Sequence, residues 1–74
     1  MSLGSIYHSI VNKAMVHLFG QAKEGKLSFD ALDEYSVWQK TCKELVDTEY
    51  ENSPFLNLIN TYVSNRLQKK FGII

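Results

Sequence analysis

Between Leu27 and Tyr50 the side chains of Leu32, Tyr35, Trp38, Cys42, Leu45 and Val46 recur in steps of three and four residues. At 100° per residue they share one helical stripe about 140° wide. A stripe of that width has to be covered, so the rest of the chain must supply the elements that cover it. The segment holds the only Trp and the only Cys of the chain, and Trp38 is expected in the core. Its start is marked by Ser28 as N-cap and by Leu27, placed to staple onto Leu32. Asp30, Asp33 and Glu34 follow in the first turns, where carboxylates favour the positive end of the helix dipole. These signals predict a helix over 29–49 that frays toward Asn52.

Two further helices are predicted to cover it. In the first, over 3–23, Ile6, Ile10, Ala14 and Leu18 form one four-step seam, and Tyr7, Val11, Met15 and Phe19 form a second beside it. Together they span an arc of about 220°, too wide for one antiparallel neighbour: either this helix is central and touches both others of its bundle, or one seam faces another protein. Gly20 and Gly25 flank the exit. The third helix is predicted over 54–71, opened by Ser53 as N-cap with Pro54 at the first helical position and closed by Gly72. Leu56, Ile59, Val63, Leu67 and Phe71 run along its whole length, whereas Phe55, Leu58 and Tyr62 make a shorter seam that gives way to Arg66 and Lys69. The fold expected is all-α: a single-domain, three-helix, up-down-up antiparallel bundle.

Size argues for support from another chain. A domain of 74 residues buries only about 60% of the surface it exposes unfolded, and burial nearly balances ordering entropy at that size. One cysteine makes no internal disulfide, so self-association, as a homodimer, or a protein partner is expected. The surplus seams Tyr7, Val11, Met15 and Phe19, with Phe55, Leu58 and Tyr62, are the expected contact surface, since Met and aromatics bring large, adaptable area.

Charge is balanced overall but segregated along the chain. Residues 1–26 carry net +2, residues 27–53 net −5 and residues 54–74 net +3. In an up-down-up bundle this pattern gathers Lys23, Lys26, Arg66, Lys69 and Lys70 at the end where Asp30, Asp33 and Glu34 start the second helix. Asp47, Glu49 and Glu51 are expected at the N-terminus of the third helix.

The residues that carry chemistry do not converge. Residues Gly25-Lys26-Leu27-Ser28-Phe29 resemble the second half of an EF-hand calcium loop. Only Glu24 keeps a side-chain carboxylate, however, and Ala31 stands where the bidentate Glu belongs, so no calcium is expected. His8 and His17 lie nine residues apart, on opposite sides of a helix, which makes His17 a core-edge residue rather than a metal ligand. Cys42 on the apolar stripe is a structural thiol, because burial suppresses the reactive thiolate. No glycine-rich phosphate loop is present. No metal, cofactor or catalytic group is therefore expected, and no enzyme. No run of about 18 apolar residues exists to cross a bilayer, and the N-terminus lacks signal-peptide order, so the cytoplasm is the expected compartment.

Two functions remain. The preferred one is a non-enzymatic helical protein–protein interaction module acting as regulator, adaptor, inhibitor or immunity-type protein. The alternative is a small nucleic-acid-binding regulator using the basic end of Lys23, Lys26, Arg66, Lys69 and Lys70. The net charge of zero counts against it.

Overall fold

A computed structural model describes residues 2–73. It contains three α-helices and one short 3-10 turn: α1 (Leu3–Lys23), the turn Phe29–Asp33, α2 (Tyr35–Glu49) and α3 (Leu56–Lys70). No strand occurs among the described residues. The helices pack as a three-helix bundle. α2 pairs with α3 most extensively, α1 lies against both, and α1 touches α3 least, which leaves a groove open between those two.

The helix ends follow from local chemistry. Ser2 caps α1 by accepting the Ser5 amide at 3.3 Å. At its exit Gly25 adopts φ +77°; its amide bonds the Ala22 carbonyl, and the Lys26 amide reaches back to Gln21 at 2.9 Å. This paired closure satisfies two otherwise orphan carbonyls and needs a left-handed residue, which glycine adopts without a Cβ clash. Gly72, at φ +72°, ends α3 in the same way, with the Ile73 amide bonded to Gln68 at 2.9 Å.

The second expected helix is not continuous. Ser28 caps only the 3-10 turn, accepting the Asp30 amide at 3.2 Å, and Glu34 is extended at φ −95° and ψ 124°. Across the break the Trp38 indole Nε1 donates to the Leu32 carbonyl at 2.7 Å. In an unbroken helix that carbonyl would accept the Ser36 amide; here the indole replaces it, and α2 starts one residue past the break. Trp38 is half-buried rather than a core residue, its ring tilted against Phe71 with centroids 6.4 Å apart. The third helix also starts later than expected. Ser53 Oγ accepts the Phe55 amide at 3.0 Å, so Pro54 sits in a capped turn and regular helix begins at Leu56.

The core is built from Tyr7, Ile10 and Ala14 of α1, Cys42 and Val46 of α2, and Ile59, Val63 and Leu67 of α3. Leu18 and Ala22 extend α1's buried stripe toward its C-terminus. Thus the seam led by Ile10, Ala14 and Leu18 faces inward, and Tyr7, expected in the contact surface, joins it at 5% exposure.

Candidate interaction surface

The seven expected contact residues divide three ways. Tyr7 belongs to the core. Val11 and Tyr62 are half-buried and pack against it. Met15, Phe19, Phe55 and Leu58 are exposed by 42%, 40%, 50% and 50%. Helical geometry explains the division along α1. A four-residue step turns about 40° beyond a full turn, so Phe19 points about 120° away from Tyr7 although both belong to one seam. Val11 falls at the edge of the core and Met15 beyond it.

Val16 joins this face and was missed in the sequence because it belongs to neither seam. It is 72% exposed, and with Met15, Phe19, Gly20 and Lys23 it lines a shallow depression on α1. The signal was present as an apolar residue opposite the core stripe. Met15 also lines the groove between α1 and α3, with Tyr7, His8, Val11 and Asn12 on one wall and Arg66, Lys69 and Lys70 on the other. The two hollows therefore form one surface through Met15. Leu58 lies on the same ridge of α3 as Tyr62, and Phe55 immediately precedes the helix; neither lines the groove.

Arg66 organises the groove. Its guanidinium lies over the Tyr7 ring at 4.2 Å and donates to the Tyr62 hydroxyl at 3.2 Å. Burial pushes the Tyr7 phenol up from its ordinary range, and the Arg66 charge opposes part of that shift. A planar cation stacked on one ring and bonded to a second is held in place by the chain's own side chains.

The charges do not pair as expected. Arg66, Lys69 and Lys70 make no ion pair with Asp30, Asp33 or Glu34 among the described residues. Because α1 has 21 residues and α3 has 15, α1 continues past α3, and the last turn of α3 faces the middle of α1 rather than its end. Lys23 accordingly sits beside Phe19, and Lys26 is held by Glu24 at 3.2 Å. At the other end Glu49 pairs with Lys13 of α1 at 2.7 Å. Asp47 accepts from Lys43 at 2.7 Å and from Asn60 of α3 at 2.8 Å. Those bonds, led by the one from Lys43, lower the Asp47 carboxyl below its ordinary value. The Lys13–Glu49 and Asn60–Asp47 contacts join helices side to side, and the Lys43–Asp47 pair lies within α2.

His17, expected at the core edge, is exposed and lines a hollow between α1 and α2 with Glu44, Thr48 and Glu49. Cys42 is fully buried, and burial pushes its thiol up to about 11, which keeps it protonated and inert near neutrality. No group of three or more His, Cys, Asp or Glu residues able to hold a metal ion occurs among the described residues. No helix among them is long and apolar enough to cross a membrane.

Fold and surface together define an all-α three-helix bundle with a groove between a basic α3 wall and a mixed α1 wall, continuous through Met15 with an apolar hollow on α1. No family model, curated protein or solved structure matches the chain.

Proposed function

We propose that this chain is a non-enzymatic interaction module, a small regulator, adaptor or inhibitor whose α1 face receives another protein. The observation that carries the proposal is the run Met15, Val16 and Phe19, exposed by 42%, 72% and 40% on one helix and continuous with the α1–α3 groove. Single exposed apolar residues are ordinary, whereas a contiguous apolar face rimmed by charge marks a contact surface. Charge favours a different protein over a symmetric homodimer. A two-fold contact across this face would set Lys23, Lys69 and Lys70 against their own copies.

The nucleic-acid alternative draws on Arg66, Lys69 and Lys70, three cations without acidic partners among the described residues. It leaves the apolar face without a role, and the chain brings no net charge to attract phosphates. Co-purification from the native cell tests the preferred function, with wild type compared against Met15→Glu plus Phe19→Glu. The variant should keep its helix content and lose a stoichiometric protein partner. A partner retained equally by both would remove the α1 face from the account.

A further inference from the structure

We infer that the α1–α3 groove takes an acidic amphipathic helix of the partner protein; this rests on the interaction-module proposal and names the chemistry that the partner presents. The hollows that share Met15 carry Lys23, Arg66, Lys69 and Lys70 on their walls and no carboxylate. No acid pairs with these four cations among the described residues. Asp33 lines the adjoining hollow with Lys70 but makes no ion pair with it. In a chain of net charge zero these four cations form a segregated field; on the α1–α2 side Glu44 and Glu49 line a hollow and Glu49 is paired with Lys13.

Charge alone fits any anion, and the floor narrows the choice. Tyr7, Val11 and Met15 line the groove at four-residue steps over about 12 Å, the length of a helix of about eight residues, and Met15 carries the apolar surface on to Val16 and Phe19 in the adjoining hollow. About two turns suffice for apolar anchors at successive i, i+3/i+4 and i+7 positions with acids on the flanks. Arg66, already held by Tyr7 and Tyr62, loses little freedom on meeting a carboxylate. A nucleic acid backbone matches the cations but not the floor, because phosphates find nothing to bond at Met15, Val16 and Phe19.

The test is a selection from a displayed helix library in which the apolar stripe is fixed and the flanking positions vary among Glu, Gln and Lys. The bait is the full chain or its Lys69→Glu plus Lys70→Glu variant. Wild type should enrich Glu at the flanks, and the variant should weaken the selected peptides about tenfold and turn the preference toward Lys. Amide shifts on binding should map to Val11, Met15, Phe19 and Lys69. Helices that bind these residues with no preference for Glu would overturn the acidic partner while leaving the interaction module standing. Failure to enrich any binder that maps to the groove would overturn the inference, and partner loss in the Met15→Glu, Phe19→Glu co-purification would still support the module. Displacement of the selected peptide at physiological salt by an equal concentration of a mixed-sequence oligonucleotide would assign the cations to phosphate and overturn it also.

Discussion

Trp38→Phe is expected to lower stability by about 1–2 kcal/mol. The indole Nε1 donates to the Leu32 carbonyl at 2.7 Å, and a net intramolecular hydrogen bond is worth about 0.5–1.5 kcal/mol, more where the acceptor is left unsatisfied. Phenylalanine keeps an aromatic ring near Phe71 but has no donor, so this substitution isolates the bond that joins the 3-10 turn to α2. Trp38→Ala also removes the ring pair, about 0.5–1.5 kcal/mol, and the packing beneath it. Since Trp38 is half-buried, its total falls at the low end of the roughly 3–5 kcal/mol range for Trp→Ala, near 3. A domain of 74 residues has about 4–11 kcal/mol in total at the usual stability per residue, so either loss is measurable. Urea denaturation followed by far-UV circular dichroism is the assay, because both variants lack the only Trp. A Trp38→Phe midpoint equal to wild type would show that the indole bond does not hold the break in place.

Three other outcomes follow from particular residues. Ile59→Ala, at a fully buried position, should cost about 3–4 kcal/mol, while Leu58→Ala beside it, 50% exposed, should stay within about 0.5 kcal/mol in the same denaturation assay. Gly20 lies inside α1 with open space where a Cβ would stand, so Gly20→Ala should stabilise by about 0.5–1 kcal/mol, whereas Gly25→Ala, at φ +77°, should destabilise by about 1 kcal/mol; melting temperatures should move in opposite directions. The folded state raises the Cys42 thiol from 9.0 to about 11, so its contribution is fully present below pH 9 and about 2–3 kcal/mol of it is lost as pH rises through 11; Cys42→Val should flatten that alkaline loss in stability measured against pH.

Much of the fold was legible because it is written in local rules. The buried stripe of α1, the core seam of Ile59, Val63 and Leu67, and the glycine closures at Gly25 and Gly72 all follow from helical spacing and from the one residue type at ease with positive φ. The break at Glu34 was not legible, because it depends on a side chain six residues beyond Leu32 taking that residue's carbonyl. The exposed apolar face was half legible. Four-step seams precess, so Tyr7 was assigned with Met15 and Phe19 although the axis of α1 turns it into the core; Val16, which belongs to no seam, escaped notice. The charge pairings failed for a reason of length: α1 outruns α3, and the cations of the two helices meet at different levels.

Site-specific photo-crosslinking in the native cell identifies what covers the exposed face of α1. A photoreactive phenylalanine analogue placed at Phe19, on the proposed contact face, is compared with one at Phe29, which is 58% exposed on the 3-10 turn. One dominant covalent adduct with another protein is expected from position 19, absent from position 29 and lost when Lys69→Glu and Lys70→Glu are added. Equal adducts from both positions, or an adduct at position 19 only with further copies of the same chain, would contradict it.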